Sequence, residues 1–473
     1  MNPRGLRPRL LSTVPWPVFA AGALALGLGA LIPIASTVGA QQLALIVATA
    51  AVLATPIALR AVRREFDPFE PVVIFVAVWG LIFVARPLSM RATDDTLLRG
   101  KYDIEQGVTA ALLIGLVGGV AFLVGYWASE RRPQLRAKYV RRGPPPAWVV
   151  AVPTILGLGM MTVLAGSTFT EAAVGGASSY EYLAPLLTIP AIVLLQRRGN
   201  TRLAYALLAV SVAGFLGLGQ RAFVIWPISS AFVFWYMSQH KRPGVAVMAA
   251  VVVVGVLPLF TVLEVAREEQ ITPTAALSQP EARDPGAAIE RFSEGDTTAM
   301  FPALALQMQT EGSVWHQRPG YWVYSTVTRW IPAALWSGKL LGSGEYLYSL
   351  YFPRHYNANK ASTAFSLASE FYYDLGILGV ILGMGGTGWL CGRLWLWVSS
   401  RAGDPWMWAL YAPVFGLVTI LFRGDAGLAS GLGLFVFAPL LVARWAATAR
   451  PAQTENGSTG SADIVAGLSS GRG

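Results

Sequence analysis

Runs of almost uninterrupted apolar residues, each near 20 residues long, recur along the chain between short polar stretches. About 20 apolar residues let an α-helix cross the hydrocarbon of a bilayer. A helix also satisfies every backbone group inside its own segment, which lipid requires. The pattern predicts an all-α polytopic membrane protein with twelve transmembrane helices: Val14–Ile34, Leu43–Leu59, Val72–Leu88, Val108–Trp127, Trp148–Leu164, Tyr182–Leu195, Leu203–Leu218, Ala222–Met237, Val245–Leu263, Leu375–Val398, Trp406–Phe422 and Leu428–Ala443. The sixth is the shortest. Residues 1–263 then form an N-terminal membrane unit of nine spans. Residues 264–372 form one large extracytoplasmic loop, 373–443 a C-terminal unit of three spans, and 444–473 a disordered Gly/Ser/Ala-rich tail.

Direction follows from arginine and lysine in the short loops. Basic loops occur at Arg4–Arg9, Arg60–Arg64, Arg131–Arg142, Arg197–Arg202, His240–Arg242, Arg393–Arg401 and from Arg444 onward. Apart from the pair flanking the long loop, which also fits, neighbouring basic loops are separated by two spans. All of them, and both termini, are therefore expected on the cytoplasmic side of the cytoplasmic membrane. Val38-Gly39-Ala40 after the first span reads as a signal-peptidase site, but the length of the preceding apolar run favours an uncleaved span.

Composition agrees: 54% of residues are hydrophobic and 13% charged, about half the charge of a soluble domain. The net charge of +10 sits in the short loops, so it signals orientation and attraction to anionic lipid rather than nucleic acid. One cysteine (Cys391) and three scattered histidines suggest neither a disulfide nor a metal site. With no internal repeat, an inverted-repeat transporter gains no support.

Two apolar stretches are broken by arginine. Gly219-Gln220-Arg221 interrupts Leu203–Met237, and Arg423-Gly424-Asp425 interrupts Trp406–Ala443. Basic residues flank both stretches at both ends, so each reads as two spans with a tight turn. That places Arg221 and Arg423 at the outer face. Each either snorkels or pairs locally, Arg423 with Asp425, or serves as an anion clamp, because guanidinium grips phosphate bidentately and stays charged.

The outer loop, Glu264 to Tyr372, spans 109 residues with 8 basic and 11 acidic side chains. Between Trp315 and Tyr356 it carries 11 aromatics in 42 residues. An excess of this kind fits an interfacial belt, a wall on which sugars stack, or a small core within the loop. Arg318, Arg329, Lys339, Arg354 and Lys360 are interspersed. Arg329 lies in Thr328-Arg329-Trp330-Ile331-Pro332, among aromatic and apolar neighbours, as a residue near a lipid phosphate would. The loop runs out through SLASEFYYDLGILGVILGMGGTG (Ser366 to Gly388). Glu370 and Asp374, four apart, share a helical face, either capping the helix or supplying a general base. Gly379 and Gly383 form a small-xxx-small pair that allows close packing.

The stretch Ser369-Glu370-Phe371-Tyr372-Tyr373-Asp374-Leu375-Gly376-Ile377-Leu378-Gly379-Val380 resembles the signature that follows the large outer loop of O-antigen polymerases, the oligosaccharide repeat-unit polymerases. The Gly219–Arg221 turn, the Trp330-Ile331-Pro332 segment and the order of features are similar as well, over about residues 200–390. The resemblance implies a GT-C-like fold and a metal-independent, cofactor-free, inverting glycosyltransferase acting on polyprenyl-pyrophosphate-linked oligosaccharides. It leaves room for a chain-length regulator protein as partner and implies no nucleic acid.

In such a reaction charge builds on the leaving pyrophosphate, and arginines must stabilise it. Arg221, Arg423 and Arg329 are the candidates. Glu370, His355 or His316 would take the acceptor proton, with Glu370 favoured. Arg318, Arg354, His355, Trp330, Tyr372 and Asp374 would contact substrate. The competing readings are an O-antigen ligase-like lipid-sugar transferase, and a lipid-linked glycan transporter or flippase. Proton-coupled transport would need charge deep within spans, and the charged positions fall near span ends.

Overall fold

A computed structural model describes residues 38–63, 65–93, 97–98, 100–130, 143–164, 184–217, 221–244, 298–329, 343–359, 365–424 and 426–447, with short stretches between 247 and 280 and between 331 and 342. The described chain is mainly helical. Its helices are α1 (Val38–Val62), α2 (Pro71–Gly80), α3 (Arg86–Thr93), α4 (Glu105–Glu130), α5 (Ala147–Leu164), α6 (Thr188–Arg197), α7 (Thr201–Gly217) and α8 (Arg221–Ser238), then α9 (Pro273–Ala276), α10 (Met300–Thr310), α11 (Tyr321–Thr328), α12 (Ser343–Tyr351), α13 (Pro353–Asn359), α14 (Leu367–Ser399), α15 (Pro405–Arg423) and α16 (Ala426–Ala446). A π-turn, Leu81–Ala85, joins α2 to α3. A two-residue hairpin, Leu97–Leu98 with Tyr102–Asp103, precedes α4.

Six segments are long and apolar enough to cross a membrane: Gly39–Val62, Pro71–Thr93, Glu105–Glu130, Leu367–Ser399, Pro405–Arg423 and Ala426–Ala446. Four shorter apolar helices, Ala147–Val163, Ala184–Arg197, Thr201–Leu216 and Phe223–Ser238, fall where spans were expected. The expected span Val14–Ile34 lies outside the described residues, and Val245–Leu263 almost entirely so.

The centre of the bundle is a seam between α4 and α14, which run parallel. A Cβ on Gly125 would meet the Gly385 carbonyl, one on Gly388 the Phe122 carbonyl, and one on Gly392 the Ser129 hydroxyl, all well inside van der Waals contact. Glycine lets the two backbones touch, and in lipid such packing replaces the hydrophobic effect as the source of helix association. Phe75, Phe122 and Phe422 interlock beside the seam, with Phe422 5.2 Å from Phe75 and 5.3 Å from Phe122 between ring centroids.

The basic loops among the described residues gather at one end, as their spacing requires. Arg60 Nη2 lies 2.8 Å from Glu70 Oε1 and 2.5 Å from Glu130 Oε1. Arg242 pairs with Asp67 at 2.5 Å, and Arg198 donates to the Pro145 carbonyl at 3.2 Å. The Trp406 indole donates to the Gly143 carbonyl at 3.2 Å, and Arg444 stands 3.8 Å from Asp404. The loops that join neighbouring helices at this end are thus held together by ion pairs and hydrogen bonds.

Glu70 is the buried member of that cluster, also accepting from the Tyr126 hydroxyl at 2.8 Å. Burial pushes its carboxyl up from 4.5 to about 7, although Arg60 pulls it down. The folded chain therefore holds a proton between pH 4.5 and 7 that the unfolded chain releases. The stability that Glu70 contributes is fully present at and below pH 4.5 and is lost as pH rises through about 7. Glu70→Gln should remove that slope. Thermal midpoints of purified protein from pH 4.5 to 8 check it, and equal slopes in the two proteins would contradict it.

Candidate functional site

α14 is broken near its start. Leu375 (φ −136°, ψ 23°) and Gly376 (φ 61°, ψ −146°) leave helical geometry. A φ of this sign favours glycine at position 376. The helical run Leu367–Asp374, N-capped by Ser366, which accepts from the Ser369 amide, folds back over the remainder of the helix. The carbonyl and ring of Phe371 fill the space that side chains at Gly379 and Gly383 would need. The small-xxx-small pair thus packs against the chain's own preceding turn. The span expected from Leu375 begins at this break.

Glu370 and Asp374 share one face of the folded-back run, and both face Trp322 of α11. The Trp322 indole donates to Glu370 Oε2 at 3.1 Å, and its backbone amide to Asp374 Oδ1 at 3.2 Å. Glu370 Oε2 also accepts from the Ala426 amide, the first of α16, at 3.2 Å. The carboxylates are 1% and 8% exposed. They tie two helix N-termini, α11 and α16, to the folded-back run, where the helix dipole favours negative charge. Trp322, which the sequence reading did not single out, is the donor that links the two acids.

Helices of the outer loop pack into the bundle rather than standing clear of it. In α10 the Ala305 carbonyl lies against Gly107 of α4, and Phe301 is 6.1 Å from Phe83, edge to face. Gln307, fully buried, exchanges hydrogen bonds with Ser369 through both the hydroxyl and the carbonyl.

The described loop aromatics divide into buried, half-buried and exposed groups. Trp315, Tyr321, Tyr348 and Tyr351 are buried, and the Tyr321 hydroxyl, pushed upward by burial, donates to the Leu341 carbonyl at 3.0 Å. Tyr324 and Trp336 are exposed and pair edge to face at 6.1 Å. Trp322, Tyr346, Phe352 and Tyr356 are half-buried against the core, so among the described residues most of these aromatics fit the small-core reading. Arg318 is exposed, its guanidinium 4.9 Å from the Tyr346 ring centre. Tyr372 donates to Glu311 Oε2 at 2.7 Å. Arg354 is exposed on α13. Trp330 and the side chain of His355 lie outside the described residues.

Arg329 does not present an open cation. Its Nη1 is 2.9 Å from Glu345 Oε2, and Glu345 Oε1 accepts from the Tyr356 hydroxyl at 2.8 Å. A guanidinium already neutralised by a carboxylate is a poor site for a diphosphate. The expectation that Arg329 belongs to the clamp gains no support from this pairing.

The depth of Arg423 also differs from expectation. Tyr411 of α15 donates to the Phe69 carbonyl at 2.5 Å, beside the start of α2, and packs 5.5 Å from Trp395 near the end of α14. α15 is thereby shifted toward the basic end. With 19 residues against 26 for α4, about 28 Å against about 39 Å, it stops beside the middle of α4. Arg423 thus stands near mid-depth of the bundle rather than at its outer face. α8 runs antiparallel to α15, with the Trp226 indole donating to the Pro413 carbonyl at 2.8 Å and its ring against Gly416. Arg221, five residues before Trp226, then has its backbone within about 5 Å of the depth of Arg423. The side chain of Arg221 lies outside the described residues.

One cation was missed altogether. Arg86, in the apolar stretch Pro71–Thr93, is 6% exposed. Its signal was a lone charge inside a predicted span. Arg86 falls two residues before the end of the expected span Val72–Leu88, whereas the observed apolar segment runs on to Thr93. Among the described residues no group of three His, Cys, Asp or Glu is placed to hold a metal ion.

Apolar helices of membrane-spanning length, arranged in one bundle with its basic loops at one end, define a polytopic helical membrane protein. No family model, curated protein or solved structure matches the chain.

Proposed function

We propose that the protein is a polysaccharide polymerase that joins polyprenyl-pyrophosphate-linked oligosaccharide units at the outer face of the cytoplasmic membrane. The observation that carries the reading is the depth match between two helix breaks. Arg221 opens α8 and Arg423 closes α15 at nearly the same level, on adjacent helices. Charge there is expensive without a purpose. Beside Arg423 lie the buried Glu370 and the start of α16.

In the reaction the bond from the anomeric carbon to the diphosphate oxygen breaks, and the acceptor hydroxyl oxygen bonds to that carbon from the opposite face. The hydroxyl proton passes to a base, and the diphosphate leaves with its charge. Arg221 and Arg423 would stabilise that charge in a low-dielectric setting, where such contacts are strongest. Glu370 would hold the α16 terminus and, as the nearest buried carboxylate, accept the proton. The exposed aromatics Tyr324 and Trp336 would stack on sugar rings.

Purified protein in bilayer discs, given a polyprenyl-diphosphate-linked repeat unit, should yield a ladder of longer lipid-linked glycans and free polyprenyl diphosphate. Unchanged substrate with folded protein would reject the proposal. Glycan transfer to a different acceptor would favour the ligase reading, and accumulation inside vesicles without bond formation the transporter reading.

Arg329 has a structural part in this scheme. A double-mutant cycle of Arg329→Ala and Glu345→Ala should show about 1 kcal/mol of coupling in unfolding, and Arg329→Ala should keep polymer yield within about threefold of the parent. A loss as large as that of Arg423→Ala would return Arg329 to the clamp.

A further inference from the structure

The described bundle holds one arginine that is buried outright, and the reaction scheme above does not use it. Arg86 is 6% exposed, within a segment otherwise apolar from Pro71 to Leu88. A charged side chain within an apolar span is costly, and such residues mark ligand and ion sites.

Local backbone supports a special placement. The π-turn Leu81–Ala85 ends at Arg86, and Pro87 follows. One wide turn rotates every later residue relative to the helix before it, and single π-turns cluster at functional positions. Here the rotation sends the residue after the turn inward, although the α2 stretch below already has its own inward face of Phe75 and Trp79.

Depth can be read from α4. The Trp79 indole donates to the Gly115 carbonyl at 2.9 Å, and Phe83 lies against Gly115. Arg86, three residues beyond Phe83, is therefore in the half of the bundle away from the basic end, beyond Arg423 by about two helical turns. Phe301 of the outer loop covers Phe83, so the segment carrying Arg86 is roofed by loop helix α10. Arg86 is therefore a buried cation between the depth of Arg423 and loop helix α10.

We propose that Arg86 is a further substrate-binding residue, a guanidinium that contacts the diphosphate of a lipid-linked substrate. The proposal rests on the polymerase reading and adds a third cation to its site. A polymerase of this kind must hold two lipid diphosphates at once, one on the donor and one on the acceptor. Two mid-depth arginines serve the leaving group, and Arg86, nearer the outer end, suits the acceptor's diphosphate. Guanidinium is fitted to the task because it binds phosphate through two parallel N–H donors and cannot lose its charge.

The test uses the full chain in bilayer discs and a long-chain polyprenyl diphosphate as probe. Arg86→Ala should weaken probe binding by about 10- to 100-fold, and Arg86→Lys by less. Inorganic diphosphate should compete with the probe, and phosphatidylglycerol should not. Thermal midpoints should show Arg86→Lys and Arg86→Gln to be folded, which covers the case where Arg86→Ala fails to fold. Parent-like binding by folded Arg86→Gln would overturn the assignment and leave the polymerase reading standing. Displacement of the probe by phosphatidylglycerol would assign the site to bulk lipid and overturn it also. Binding loss that follows only the loss of folded protein, with both restored together in Arg86→Gln, would make Arg86 structural. If the parent protein itself does not bind the probe, the polymerase reading falls, and Arg86 with it.

Discussion

Replacing Arg423 by alanine is expected to cut polymer formation by about 100-fold or more, with protein level and thermal midpoint little changed. Donors aimed at charge that appears only in the transition state contribute about 3 to 4 kcal/mol each when water is excluded. Arg423 lies at the end of α15, beside the middle of α4, where little water competes. Arg423→Lys should be almost as damaging, because an ammonium is a point charge and cannot bridge two phosphate oxygens. Arg221→Ala should give a loss of the same order. The double variant should lose less than the product of the two single effects, since both would act on one leaving group. Glycan ladders from membranes containing equal amounts of each variant give the measurement. If Arg423→Ala and Arg221→Ala both make polymer of parental length and amount, the shared clamp is wrong.

The second large effect concerns folding. Gly388→Val should destabilise the protein by about 3 kcal/mol or more, and most of the chain should be lost to aggregation. Even one carbon at Gly388 would overlap the Phe122 carbonyl, and one at Gly125 the Gly385 carbonyl. Neither partner is a flexible side-chain tip. The helices would have to separate, breaking the contact of α4 with α14 along its length. Overpacking a rigid core costs about 1–3 kcal/mol even where neighbours can shift. Gly386, on the same helix, has nothing within 4 Å of an added Cβ. Gly386→Ala should therefore be neutral, or slightly stabilising through helix propensity. Yield of monodisperse protein and thermal midpoint in detergent distinguish the two. Equal tolerance at 386 and 388 would show that the seam is not close-packed.

The two predictions draw on different kinds of information. The glycines of α14 were visible in the sequence, and a close approach at Gly379 and Gly383 was expected from their spacing. The partner was not visible: the chain folds back at Gly376 and uses that pair for Phe371, while the long contact with α4 falls on Gly385, Gly388 and Gly392. Spacing reports that a backbone can come near but not which backbone does. Likewise Glu370 and Asp374 were rightly placed on one helical face. That both would be held by Trp322, 48 and 52 residues away along the chain, had no local signal.

By itself the sequence determined that this is a helical membrane protein and where its long apolar helices run, and among the described residues that the basic loops share one end. Those features follow from local quantities, namely apolar run length and charge, which act on each segment independently. Tertiary structure alone decided that Arg423 ends near mid-depth, that Arg329 is neutralised by Glu345, that Arg86 is buried, and that most of the loop aromatics form core. Each of those outcomes depends on how far one helix slides along another and on which distant residue arrives beside it, and neither is encoded in any single stretch of chain.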